Sequence, residues 1–210
     1  MFDFDGTLAD TLPLCAAAFQ AATAEVGGVY LSVPQITAMF GPNEVGILRQ
    51  VLGGRWEDGL AVFLREYDRR HPEICTGPFP GVREMLADLR GHGVKLGMIT
   101  GKGPLSAAIS FRHVGLEDAF DFVKAGKPEG CVKQRHITEA LAEHGIAAAR
   151  AAYVGDTPGD IAASRAVGVL AVAAAWAGTA DLTALMRAEP DHLFTSVADL
   201  REWAVGQVAG

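Results

Sequence analysis

Apolar and polar positions follow two different rhythms along this chain. At the start, Asp3 and Asp5 flank Phe4 in a two-residue repeat, which places both carboxylates on one face of a strand, and Gly6-Thr7 then turn the chain. From Thr11 to Cys75 the spacing is helical. TLPLCAAAFQAATAEVGG is a helix that Asp10 or Thr11 can cap, with Pro13 in its first turn and Gly27-Gly28 as its stop. A short helix follows from Ser32 and Pro34 towards Gly41-Pro42, and a third, NEVGILRQVL, ends at Gly53-Gly54. The fourth, WEDGLAVFLREYDRRH, carries Leu60, Phe63, Leu64 and Tyr67 at helical spacing.

TGPFPG at 76–81 breaks the pattern, and beyond it strands and helices alternate. VREMLADLRGHG is a helix, VKLGMIT a strand ending at Thr100, and PLSAAISFRHVG a helix. FDFVKA is a short strand leading to Gly126-Lys127-Pro128, CVKQRHITEALAEHG a helix, and AAYVG a strand ending at Gly155-Asp156. PGDIAASRAVG and VLAVAAAW read as helix and strand, followed by a helix, a short strand at Leu193-Phe194 and a helix from Ser196. Such alternation predicts an α/β fold with a mostly parallel sheet and right-handed crossovers. Residues 1–10 and 78–210 form its core. The helical stretch 11–77 is an insertion, leaving after the first strand to sit over that edge as a cap. That strand is short for a central one, so residues before Met1 are expected to be missing.

Composition narrows the function classes. The chain has 210 residues, half of them hydrophobic, which suits one large domain or a domain with an insertion. A net charge of -7 argues against a nucleic-acid partner, though a metal and local donors can still bind phosphate. Cys15, Cys75 and Cys131 form no C-x-x-C and read as reduced thiols of a cytoplasmic protein. No apolar run reaches membrane-spanning length, AVAAAWAG included, and no signal peptide is evident. No heptad or apolar stripe distinguishes a monomer from a homodimer.

Ligands of open α/β sheets bind beyond the carboxyl ends of the strands. Here those ends carry Asp3 and Asp5, Thr100, Lys127 and Asp156, with Asp160 one helical turn further on. The residue types suit phosphoryl transfer. One carboxylate can attack phosphorus, and a second can give and take the proton. A hard cation such as Mg2+ offsets the repulsion between anions, while a hydroxyl, backbone N–H groups and a lysine hold the phosphoryl oxygens.

These motifs make the chain resemble the haloacid dehalogenase superfamily, in its phosphoglycolate phosphatase-like branch with a helical cap. DFDGTLAD matches the family's first motif, MITGK the second, GKP the third and VGDTPGDI the fourth. The resemblance spans essentially the whole chain. It implies a three-layer Rossmann-like core with the first strand central, and a Mg2+-dependent phosphatase acting on a small phosphomonoester through an aspartyl-phosphate. Asp3 would be the nucleophile and Asp5 the general acid/base. Thr100 and the backbone of Gly101 would bind phosphate, and Lys127 would neutralise nucleophile and phosphate. Asp156 would ligate Mg2+ with Asp3 and the carbonyl of Asp5, with Asp160 supporting that site from behind these ligands or through water. The segment from Phe120 to Lys127 is shorter than usual for the family, which makes Lys124 a rival. GKP and the helix-opening Pro128 favour Lys127.

The remaining polar residues divide between local and substrate roles. Thr7 reads as a turn residue, and Lys102 as a solvated lysine or one approaching substrate. Phe40 and Arg49 are cap candidates for substrate contact, Arg49 for an anionic group. No histidine falls in the constellation; His113, His136 and His144 read as surface or interface residues. Trp56, Trp176 and Trp203 read as packing. The alternative functions are a phosphomutase on a sugar phosphate, resembling beta-phosphoglucomutase, and a non-catalytic binding module. Asp5 argues against a dehalogenase, because departing halide needs no proton. Cap motion is expected to hinge at Gly6–Asp10 and at 76–81.

Overall fold

The computed structural model describes residues 1–208. Four helices come first: α1 (Leu12–Gly27), α2 (Val33–Thr37), α3 (Glu44–Leu52) and α4 (Trp56–Ile74). Then follow α5 (Val82–Gly91), β1 (Gly97–Ile99), α6 (Pro104–Val114), β2 (Phe122–Lys124) and α7 (Lys133–His144). The chain continues through β3 (Ala152–Gly155), α8 (Pro158–Val167), β4 (Leu170–Ala174), α9 (Leu182–Arg187), β5 (His192–Phe194) and α10 (Val197–Val208).

All named strand pairs are parallel: β1 with β2, β3 with β4, and β4 with β5. Phe2 joins the two halves, bridging Met98 of β1 on one side and Val154 of β3 on the other. Its N–H donates to Gly97 O and its carbonyl accepts from Ile99, while the N–H of Asp3 donates to Val154 O. Residues 1–3 therefore lie in the middle of a sheet of order β2, β1, residues 1–3, β3, β4, β5. The expected α/β fold with its first segment central is what forms.

The apolar residues separate into distinct clusters. Phe4, Leu8, Met85, Met98 and Val172 belong to the main cluster beneath the sheet. Leu14, Phe19, Leu48, Phe63 and Tyr67 form another within α1–α4, where Phe63 packs between Phe19 and Tyr67. This helical block meets the sheet-bearing part through buried polar contacts. On α4, the Tyr67 hydroxyl lies 2.8 Å and His71 Nε2 3.3 Å from Ser110 Oγ on α6. On α3, Glu44 accepts from Gly103 N at 2.7 Å and from the Ser106 hydroxyl, both at the start of α6.

Several local expectations change. The second helix stops at Thr37, short of Gly41-Pro42. Thr11 precedes α1 without its side chain capping it, because its hydroxyl turns back to Asp5. His136 is buried, and His113 is half-buried between Asp68 and the stacked ring of the buried His71. Among the described residues no helix is long and apolar enough to cross a membrane.

Candidate active site

The site begins where residues 1–3 leave the sheet. Asp3 is buried, and its Oδ1 accepts from the N–H of Phe4 at 2.7 Å. On the neighbouring strand, Asp156 follows the last residue of β3. Gly6 turns the chain with φ 73°, and a Cβ there would overlap the Asp156 carboxylate, so this position requires glycine twice over. Thr7 is not merely a turn residue, since its hydroxyl donates to Asp156 Oδ1 at 3.2 Å.

Asp160, fully buried in the first turn of α8, completes the group. Its Oδ2 accepts from the N–H and hydroxyl of Thr157 at 3.1 and 2.6 Å in a capping box. Carboxylate oxygens of Asp3, Asp156 and Asp160 all lie within 4.8 Å of one another. Burial, with the Asp160 and Asp5 carboxylates, pushes the Asp3 carboxyl up to about 6 against the pull of Lys133. Burial and the same crowding raise Asp156 well above the ordinary range. Two buried acids held high signal missing positive charge, and oxygen donors at this spacing fit a hard divalent cation.

The lysine of this cluster is Lys133, not Lys127 or Lys124. Lys133 opens α7, and its ammonium contacts both Asp3 and Asp160. Burial opposes its charge, but Asp160 and Asp3 outweigh burial and hold it well above the usual lysine range. Lys127 is exposed on a ledge where the helical block rests. Its carbonyl accepts from Asn43 N at 3.0 Å, Asn43 Nδ2 donates to Gly126 O at 3.1 Å, and Gly46 packs against the Pro128 carbonyl. Those main-chain contacts commit the GKP segment to docking, so the lysine falls six residues later. Lys124 instead pairs with Glu143 at 2.8 Å and Glu139 at 3.5 Å on α7. The signal for Lys133 was its place at the start of the helix after β2, rather than any local motif.

Thr100 is fully buried at the end of β1, two residues past Met98, the partner of Phe2, and so ends at the same sheet edge as Asp3. Its Oγ1 accepts from Lys102 N at 3.2 Å. Gly101 lies against Gly126, whose lack of a side chain admits the Gly101 carbonyl.

Asp5 occupies a separate niche beside this cluster. Its Oδ1 accepts from the Thr11 hydroxyl and lies 3.0 Å from Lys102 Nζ. Lys102 is thus not a solvated lysine, with its side chain only 1% accessible. No hydrogen bond or ion pair among the described residues joins the cap candidates to this cluster: Phe40 is exposed, and Arg49 is exposed with its guanidinium over the Trp56 ring.

The family model for haloacid dehalogenase-like hydrolases matches residues 1–174. The chain is 31% identical to a phosphoglycolate phosphatase of Neisseria meningitidis serogroup A, covering 96% of this chain and 91% of that relative. It is also 31% identical to a phosphoglycolate phosphatase of Synechococcus elongatus, covering 95% and 93%. Among solved structures, CbbY from Rhodobacter sphaeroides in complex with phosphate superposes with a TM-score of 0.79 at 19% identity, covering 95% of this chain and 94% of that one.

Proposed function

Because the chain belongs to the haloacid dehalogenase-like hydrolase family, we propose that it is a Mg2+-dependent phosphatase that transfers the phosphoryl group of a small phosphomonoester to Asp3 and then to water. The relatives named phosphoglycolate phosphatase make phosphoglycolate the first substrate to test. The observation that carries the reading is the contact of Lys133 with Asp3 inside the buried triad of Asp3, Asp156 and Asp160.

In this reading an Asp3 oxygen attacks phosphorus while the ester P–O bond breaks, and Asp5 gives its proton to the departing oxygen. Water then attacks the phosphoryl-Asp3, Asp5 takes a proton from it, and the bond to Asp3 breaks to release phosphate. Lys133 keeps Asp3 ionised for attack. Thr100 and the backbone at Gly101 are placed to hold phosphoryl oxygens. Mg2+, held by Asp3 and Asp156 with Asp160 beside them, would supply the positive charge that lets two anions approach. Helices α1–α4 act as the cap that excludes water, moving about 6–10 and 76–81.

The test is a panel of phosphate esters, phosphoglycolate included, assayed with and without Mg2+ on the wild type and on Asp3→Asn. Phosphate release that needs both Mg2+ and Asp3 supports the reading. Undiminished release by a folded Asp3→Asn variant refutes it.

A further inference from the structure

The Lys102 side chain is buried where three parts of the molecule meet. Its Nζ lies 3.0 Å from Asp5 Oδ1, 3.2 Å from the Cys15 sulfur on α1 and 4.6 Å from the centre of the Tyr67 ring on α4. Its backbone is fixed as well: the N–H donates to Thr100 Oγ1 at 3.2 Å, and the carbonyl accepts from Gly126 N at 2.7 Å. Such a lysine has few conformations to choose from. Burying an ammonium is costly unless a counter-charge is present, and Asp5 supplies that charge.

The pattern on Asp5 is one-sided. The Thr11 hydroxyl, Lys102 Nζ and, more distantly, the Cys15 thiol at 3.9 Å all fall on Oδ1. No hydrogen bond to Oδ2 is formed among the described residues. A carboxylate clamped through one oxygen presents the other in a fixed direction.

We propose that Lys102 is a positioning residue that, together with Thr11, clamps Asp5 by Oδ1 and leaves Oδ2 to exchange the proton with the leaving oxygen. This rests on the phosphatase reading, in which Asp5 is the proton donor. Lys102 itself touches neither phosphate nor leaving group. Because Cys15 and Tyr67 belong to the helical block, the clamp is built jointly by that block and the loop after β1.

The role predicts a dependence on the leaving group. Departure of an alkoxide needs a proton, whereas p-nitrophenolate leaves without one. The first turnover is therefore followed by rapid quench, with p-nitrophenyl phosphate and with an alkyl phosphomonoester that the wild type hydrolyses, in Lys102→Met, Lys102→Arg, Thr11→Val and Asp5→Asn. A misplaced catalytic group costs about 100-fold. Lys102→Met is expected to lose about that much in the alkyl first turnover while keeping the nitrophenolate burst, with Lys102→Arg recovering most of the loss. Thr11→Val is expected to show the same selectivity more weakly. It also serves if Lys102→Met fails to give a native thermal melt.

Equal losses on both substrates in Lys102→Met, or no selectivity in a folded Thr11→Val, overturn the proposal while Asp5→Asn still shows selectivity. An Asp5→Asn variant without selectivity overturns the phosphatase reading of Asp5, and the clamp with it.

Discussion

At the scale of single residues, charge and position decide which groups matter. Asp3 was legible because it ends the first extended segment ahead of a glycine turn; Asp5 was legible as a neighbouring acid, but it faces Thr11 and Lys102 instead of joining the cluster around Asp3. Asp156 and Asp160 were legible because a one-turn spacing after a strand places both at its tip. The lysine was not, because Lys127 sits in the expected string and Lys133 does not. Geometry separates them: Lys133 contacts Asp3 and Asp160, while Lys127 is exposed. Lys133→Met is accordingly expected to lower kcat/KM by roughly 100-fold or more, the scale for losing one charged donor at a reacting centre. Lys127→Met should stay near wild type. Steady-state kinetics on the two variants checks this, and the reverse order would return the role to Lys127. Lys102 was equally hidden. Nothing in its local sequence tells a buried lysine from a solvated one, since its burial is created by Cys15 and Tyr67, far away in the chain.

At the scale of elements, periodicity carried most of the fold. The four early helices, the strands ending near Thr100 and Asp156, and the glycine stops at Gly115, Gly145 and Gly168 all follow from spacing and from left-handed caps that glycine accommodates. What periodicity missed were places where a long-range partner outbids a local one. Thr11 is a good capping residue by type, yet Asp5 takes its hydroxyl. Asn43 does cap α3, accepting from Gly46 N at 3.2 Å, but the same side chain also reaches Gly126 O. Glu44 places its carboxylate on the N-terminus of α6, where unpaired N–H groups favour an anion. These contacts join α3 to the loops that carry the site, and none leaves a signature in the spacing of α3 itself. The same docking accounts for the displaced lysine: once residues 126–128 support α3, α7 can begin only beyond them.

At the scale of the whole molecule, the site imposes a cost on the fold that a cation can relieve. Burial and the neighbouring carboxylates push the Asp3 carboxyl up to about 6 from an ordinary 3.8, so within that window the native state keeps a proton that the unfolded chain has already released. Asp156 is raised in the same direction. The site's own contribution to stability without metal should therefore fall as pH rises through the window from 3.8 to about 6. A metal held by this cluster would compete with those protons in the folded form, so added Mg2+ should raise Tm more at about pH 7.5 than at about pH 4.5. Thermal melts at the two pH values check this, and equal gains would contradict it. The central claim is chemical: that phosphate passes through Asp3. Borohydride reduces an acyl phosphate to the alcohol, so quenching turnover with it and mapping the protein by mass spectrometry tests the claim most directly. Homoserine at position 3, dependent on substrate and Mg2+ and missing from Lys133→Met, is the predicted result. Steady turnover with Asp3 unlabelled, or with the label on another carboxylate, would contradict it.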